Sequence, residues 1–192
     1  MAVGAHVPIT QGEIRDFLKI DAAKTSMNAR LDKIADGVAT AINNYLGVSM
    51  ITSSYTEIYD GWTEEGDPRG NTLWVEKYPI VSITSLADND IALTSDKYYL
   101  YGTEGRIVLK NSGFTADYQT IDIVYTAGYG AAAANVPDAL KLACYKWIKA
   151  IYAGEIVDFS QQFGESAFAR IVTKSIPEDI KFLVDVYKCR GI

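Results

Sequence analysis

The spacing of apolar positions changes twice along the chain. Over residues 10–47, apolar residues recur at intervals of three and four, which predicts helices. From about residue 50 to residue 127, apolar and polar residues alternate in short runs, which predicts strands. The helical interval returns over residues 136–190. The pattern predicts an α+β fold, in which two N-terminal and two C-terminal helices form a helical core and an antiparallel β region is inserted between them.

Particular residues mark where the predicted helices begin and end. Thr10 and Glu13 have the spacing of a capping box in front of a short first helix. Gly47 follows the second helix and favours the left-handed conformation that ends one. Pro137 fits the first position of the third helix. The fourth helix is predicted to run from the Ser-Ile-Pro-Glu segment, residues 175–178, to Tyr187.

The β region is predicted to be a meander of about six short strands. The predicted strands are Ile51–Tyr59, Thr72–Glu76, Ile80–Leu86, Lys97–Tyr101, Arg106–Leu109 and Thr120–Tyr125. The Asp-Asn-Asp segment at residues 88–90 predicts a tight turn. Residues 155–175 have no clear pattern and are predicted to be mobile. Neither a repeat nor a linker interrupts the chain, so residues 1–192 are expected to form a single domain.

Composition and charge narrow the classes of function. With 48% apolar and 22% charged residues in 192, the chain can bury a hydrophobic core. A net charge of −6 argues against a protein that holds nucleic acid tightly, because such proteins are usually basic. The sequence predicts no membrane span and no signal peptide, and hence synthesis in the cytoplasm. Cys144 and Cys189 are far apart in sequence and are predicted to be free thiols.

Few residues predict catalysis or metal binding. His6 stands alone as the one histidine, so a nucleophilic triad or a zinc site has little to build on. Residues 128–130 lead from a strand into a helix, but they lack the spacing of a phosphate loop and the Lys-Ser or Lys-Thr that follows one. An acidic loop holds Asp60, Glu64, Glu65 and Asp67. Its spacing does not match a calcium loop, and a solvated loop is the simpler interpretation. The sequence therefore predicts no enzyme, no cofactor, no metal and no catalytic residue.

The chain is rich in tyrosine, with 13 residues. Those on the predicted strands are Tyr55, Tyr59, Tyr98, Tyr99, Tyr101 and Tyr125. Tyrosine packs well in strands, is common at protein interfaces and can stack on sugars. The sequence leaves all three interpretations open.

The order of several segments resembles a known family. The segment Y-P-I-V-S-I-T-S spans residues 78–85, and V-Y-T-A-G-Y at residues 124–129 is followed by V-P-D-A-L at residues 136–140. In this order, from about residue 10 to residue 190, the chain resembles the head–tail connector, or adaptor, family of siphophages and related myophages.

The resemblance implies a structural virion protein. Members of the family form a dodecameric ring under the portal, with a stopper or tail-completion protein below and DNA passing through the lumen. A location at the head–tail interface, after assembly in the host cytoplasm, follows from this. The resemblance also implies that the segment after Gly154, including residues 177–187, reaches toward the portal. A stopper or tail-completion protein, which would be mostly β barrel, and a carbohydrate- or peptide-binding module are the alternatives.

Overall fold

A computed structural model describes residues 4–21, 23–61, 70–153 and 176–188. The chain divides into two compact units. The helical unit combines Met1–Leu46 with Gly130–Lys188, and the β unit spans Gly47–Tyr129. The predicted mobile stretch, residues 155–175, lies outside the described residues, as does most of the acidic loop.

The helical unit is built from both ends of the sequence. Its described helices are α1 (Gln11–Leu18), α2 (Asn28–Leu46), α3 (Asp138–Ala153) and α4 (Glu178–Val184). Helix α3 packs against α2 and α4, and α1 contacts both α2 and α3. The buried side chains repeat at helical spacing and include Leu31, Ile34, Val38, Ile42, Leu140, Trp147, Ile148 and Ile180. Together with the sheets of the β unit, these helices confirm the predicted α+β class.

Local contacts explain the ends of the first two helices. Thr10 N–H donates to Glu13 Oε2 at 2.6 Å and Glu13 N–H donates to Thr10 Oγ1 at 3.3 Å, which confirms the capping box. Gly47 has φ 72°, which confirms the left-handed end of α2. The sequence predicts that the second helix starts between Asp21 and Ser26, and α2 begins slightly later, at Asn28. Arg15 is buried and its guanidinium donates to the Asn28 side chain and to the Asp21 carbonyl, which holds the connection from α1 to α2.

The β unit contains two antiparallel sheets. Its strands are β1 (Ser53–Tyr59), β2 (Thr72–Trp74), β3 (Ile80–Asp88), β4 (Ile91–Ala92), β5 (Tyr98–Tyr101), β6 (Arg106–Leu109) and β7 (Ile121–Ala127). The four-stranded sheet has the order β1-β7-β3-β4 and the three-stranded sheet the order β2-β6-β5. The predicted meander is wrong, because β7 inserts between β1 and β3. Sequence analysis also missed β4, which is only two residues long.

One hydrophobic core serves both sheets. It takes Leu73 and Ile107 from the three-stranded sheet, and Ile123 and Tyr125 from the four-stranded sheet. Along β7 the buried residues alternate with more exposed ones, as expected for a strand with one buried face. Each fully buried side chain of this size stabilises the unit by roughly 1.5–3 kcal/mol.

Two connections shape the edges of the β unit. Asn89 and Asp90 have φ 50° and 63°, the backbone of a two-residue hairpin turn, which confirms the predicted turn between β3 and β4. The connection from β5 to β6 passes close to β3 at Gly102. A Cβ at this position would lie 2.5 Å from the Ile80 carbonyl oxygen, so any larger residue would push the two segments apart.

Candidate interaction surfaces

The tyrosines of the β unit divide according to the face on which they lie. Tyr125 is fully buried. Three others are partly buried and pack against the same core: Tyr55, Tyr59 and Tyr98. Tyr99 and Tyr101 are exposed on β5, and Tyr99 has 54% of its surface accessible. Strand packing therefore accounts for four of the six tyrosines, and two are available for a partner.

A carboxylate and two phenols form a closed network beside the core. Tyr125 Oη donates to Glu57 Oε1 at 2.7 Å, and Tyr59 Oη donates to Glu57 Oε2. The backbone N–H of Lys77 donates to Tyr125 Oη at 3.1 Å, and that of Glu76 donates to Tyr59 Oη at 3.0 Å. Burial, followed by the hydrogen bond to Glu57, raises the pKa of both phenols, so they remain neutral donors. The network joins β1 and β7 to the segment after β2 and is structural.

The exposed side of the three-stranded sheet carries aromatic rings and cations. Trp74 on β2, Arg106 on β6 and Tyr101 on β5 lie in one cross-strand row. Tyr99 is two residues before Tyr101 and therefore lies on the same face. Lys110 follows β6 and approaches the Tyr99 ring. We call these five residues the aromatic–cationic face.

The cations of this face are held against the rings. Arg106 Cζ lies 4.1 Å from the centroid of the Tyr101 ring and 5.5 Å from that of Trp74. Arg106 also donates from Nε and Nη2 to Glu104 Oε2, at 3.0 Å and 2.9 Å. Lys110 Nζ lies 4.8 Å from the centroid of Tyr99. Each exposed cation–π contact stabilises by about 0.5–1 kcal/mol, so the contacts favour this arrangement of the face before any partner binds.

A second exposed surface lies at the C-terminal end of the helical unit. Phe182 on α4 has 82% of its surface accessible, and Val186, one turn later, has 83%. The same segment buries Ile180 and Val184 within its unit. Large apolar side chains that stay exposed beside a buried stripe often mark a contact with another molecule. We call Phe182 and Val186 the apolar pair.

Comparison with known proteins identifies the family. The model of the family "Head completion protein" matches residues 9–189. The chain belongs to the head completion protein family. No curated protein sequence matches the chain.

The fold of this head completion protein recurs in solved particles of a gene transfer agent (GTA), over 100% of the present chain. One match is a chain from the neck of an empty GTA particle computed with C6 symmetry, with a TM-score of 0.69, 15% identity and 96% of that chain covered. A chain from the virion of a native GTA particle gives a TM-score of 0.69 at 16% identity, with 94% covered. A chain from the neck of a native GTA particle computed with C12 symmetry gives 0.64 at 15% identity, with 97% covered.

The remaining candidates for chemistry that the structure describes each make a local structural contact. His6 Nε2 lies 3.2 Å from Thr40 Oγ1, a contact within the helical unit. The Asp60 carboxylate accepts the Gln119 N–H at 2.7 Å and so serves a turn. The other acidic-loop residues, Glu64, Glu65 and Asp67, lie outside the described residues. Among residues that the structure describes, no group of three or more His, Cys, Asp or Glu side chains is placed to hold a metal ion.

Cys144 and Gly128 have structural explanations in this head completion protein. Cys144 is buried, and burial raises the pKa of its thiol to about 12, so the reactive thiolate is scarce at neutral pH. Gly128 has φ 139°, and a Cβ there would lie 2.5 Å from Thr52 Cα, so close backbone packing requires the glycine. No helix within the described ranges is both long enough and apolar enough to cross a membrane.

Sequence reasoning found the tyrosines but missed the residues that accompany them. The sequence pattern places Trp74 and Arg106 on strands but gives them no role, because only strand pairing puts them in one row with Tyr101. The apolar pair lies outside the buried stripe of the fourth helix, so that stripe alone does not indicate it. The spacing of Phe182 and Val186, four residues apart and offset from that stripe, was the available signal.

Proposed function

We propose that this protein is one subunit of the adaptor ring that joins the portal to the tail in the neck of a tailed phage or a phage-like particle. The observation that carries this proposal is the match to the head completion family over residues 9–189. A fold shared over the whole chain with neck chains of a GTA particle supports the location. In this role the chain is a structural virion protein and not an enzyme, and it assembles in the host cytoplasm before joining the head–tail interface.

We further propose a closed ring of twelve copies. The GTA necks that contain chains of this fold were computed with C6 and C12 symmetry. Identical subunits in a ring make head-to-tail contacts, so each subunit needs two different surfaces that fit each other. In this proposal residues 1–192 act as one adaptor domain, whose helical core, about residues 10–47 and 136–190, carries the β-rich insertion, about residues 50–127.

The ring encloses the path of the DNA in this proposal. The chain has 24 acidic and 18 basic residues, a balance that disfavours tight binding to phosphates. Repulsion between an acidic lumen and DNA would let the genome pass without being retained. DNA is therefore a passing molecule rather than a ligand that the ring recognises by sequence.

We assign the apolar pair to the portal contact. Phe182 and Val186 are almost fully exposed, and burying each of them would contribute roughly 1.5–3 kcal/mol. Their segment is supported by Ile180 and Val184, which anchor it to the helical unit. The portal would lie above the ring, and a stopper or tail-completion protein would bind below it.

The arrangement of the exposed tyrosines disfavours a carbohydrate-binding module. Sugars stack on open ring faces, whereas Arg106 and Lys110 already lie over the rings of Tyr101 and Tyr99. A sugar would have to displace these cations. A stopper or tail-completion protein stays the alternative within the neck, and the helical unit argues against the mostly β barrel expected there.

Binding to the cognate portal tests the proposal. The protein is mixed with purified portal and imaged by electron microscopy, and a ring stacked on the narrow end of the portal is expected. Replacing both Phe182 and Val186 by alanine should weaken portal binding at least tenfold. Leu142→Ala, at an exposed apolar position of α3, is the matched control and should leave binding unchanged. Wild-type protein that binds the tail side but not the portal would support the stopper alternative instead.

A further inference from the structure

We propose that the aromatic–cationic face binds the acidic tip of a second copy of this chain, and that this is the contact between neighbouring subunits of the ring. The acidic tip consists of Asp88, Asp90, Ile91, Asp117 and Tyr118, defined below by its contacts. The proposal rests on the ring of the proposed function and names the two surfaces that join its subunits.

The acidic tip forms where two connections of the β unit meet. Asp88 accepts hydrogen bonds from the N–H of Thr115, at 3.1 Å and 3.0 Å to its two oxygens. Asn89 N–H donates to the Thr120 carbonyl at 2.7 Å. These bonds join the β3–β4 turn to the loop that contains Asp117. Three carboxylates therefore lie on two adjoining loops at one end of the β unit.

The tip also presents apolar surface. Ile91 has 68% of its surface accessible, and Tyr118 has 73%. Asn89 and Asp90 both adopt positive φ, so the turn that leads into Ile91 has a two-residue hairpin geometry. A rigid tip with two large exposed side chains and carboxylates beside them combines the apolar and charged features of a protein contact.

The aromatic–cationic face has the complementary chemistry. It offers the charges of Arg106 and Lys110 to carboxylates, and the accessible parts of the aromatic rings that these cations leave uncovered to apolar side chains. Tryptophan, tyrosine and arginine are the residue types that most often dominate binding energy at interfaces. Glu104 is the one carboxylate that the described contacts of this face include. The face is thus suited to a partner that is both acidic and apolar.

A second copy of the chain supplies such a partner. Each molecule carries a net charge of −6, so a cationic surface on it is where another copy can approach with the least repulsion. The face and the tip lie on different residues of the same β unit. A contact between them is therefore heterologous, and a copy that uses its face in one contact can use its tip in the next.

Charge reversal tests the pairing. In the face variant, Arg106→Glu and Lys110→Glu make the face acidic, and in the tip variant, Asp90→Lys and Asp117→Lys make the tip basic. Each variant alone should lose affinity for its own copies by at least tenfold. An equimolar mixture should regain assembly, because the acidic face of one variant meets the basic tip of the other while the unchanged face and tip also pair.

Self-association is followed by sedimentation at increasing protein concentration, and ring closure by electron microscopy on the portal. The control is the double variant Lys146→Glu and Lys149→Glu. Both positions are exposed on α3, and the change of charge is the same as in the face variant. Circular dichroism checks that each variant is folded. Recovery in the mixture supports the contact.

Three results would overturn the inference, and the first two leave the proposed function intact. Variants that assemble like the wild type would show that neither surface joins the subunits. Loss in each variant without recovery in the mixture would show that the face and the tip serve different partners. If the protein associates with itself through the face and the tip but does not bind the portal, the adaptor role is refuted and the proposed contact between copies still stands. Wild-type protein that assembles neither alone nor on the portal would refute both.

Discussion

Replacing Tyr125 by phenylalanine should destabilise the β unit by about 2–3 kcal/mol. The hydroxyl makes two hydrogen bonds, donating to Glu57 Oε1 at 2.7 Å and accepting from Lys77 N–H at 3.1 Å. The substitution keeps the ring and removes both bonds at a residue with no accessible surface. A bond to a carboxylate contributes about 1.5–3 kcal/mol and one between neutral groups about 0.5–1.5 kcal/mol. Because Glu57 is only partly buried, water recovers some of the loss.

Hydrogen exchange of the amides in β1 and β7 measures this loss in the β unit alone. A loss of 2–3 kcal/mol corresponds to exchange that is about 30- to 150-fold faster for amides that exchange when the unit opens. Tyr99→Phe is the matched control, because Tyr99 is exposed, and it should change protection by less than about 0.5 kcal/mol. If Glu57 is first replaced by glutamine, Tyr125→Phe should cost less, since the charged acceptor is already gone.

The reasoning would be refuted if Tyr125→Phe accelerated exchange by less than about threefold. That result would mean that water or a neighbouring group satisfies Glu57 and Lys77 as well as the phenol does. It would also remove the explanation of why a glutamate lies on the inward-facing side of β1.

Three further changes have expected outcomes. Burial raises the pKa of Tyr125 in the folded protein above its unfolded value near 10. The stability that the neutral phenol contributes is therefore complete below about pH 10 and is lost as the pH rises further, by about 1.4 kcal/mol per pH unit. Denaturant midpoints measured on either side of that pH will show whether stability falls. Thr10→Ala should lower the stability of the helical unit by about 1 kcal/mol, measured by exchange in α1, while Thr10→Ser should be nearly neutral. In a Cys189→Ser background, the Cys144 thiol should react with an alkylating reagent only as fast as the helical unit opens, and rapid labelling of folded protein would contradict its burial.

The helices were predictable because their signals are local. The capping box at Thr10 and the glycine at residue 47 act within a few residues of themselves, and both predictions are confirmed. The start of α2 was not predictable, because it depends on a buried arginine, Arg15, that reaches forward to Asn28. No short-range pattern indicates that a cation will be buried in this way.

Strand pairing was the part that the sequence did not predict. The runs of β1 and β7 were recognised, yet their pairing joins residues more than sixty positions apart, such as Glu57 and Ile123. The same limitation hid the aromatic–cationic face, because Trp74 and Tyr101 become neighbours only through Arg106 on the strand between them. The turn at residues 88–90 was found, since its residues carry their own conformational preference.

The division of the chain has a consequence for the order in which it folds during translation. The part of the β unit that the structure describes lies within Gly47–Tyr129, so the ribosome can release it before the second half of the helical unit exists. Helices α1 and α2 must wait for α3, the partner against which α2 packs. Until then, the apolar stripe of α2 is without that partner and open to chaperones. The nascent chain therefore completes its middle first and joins its two ends last.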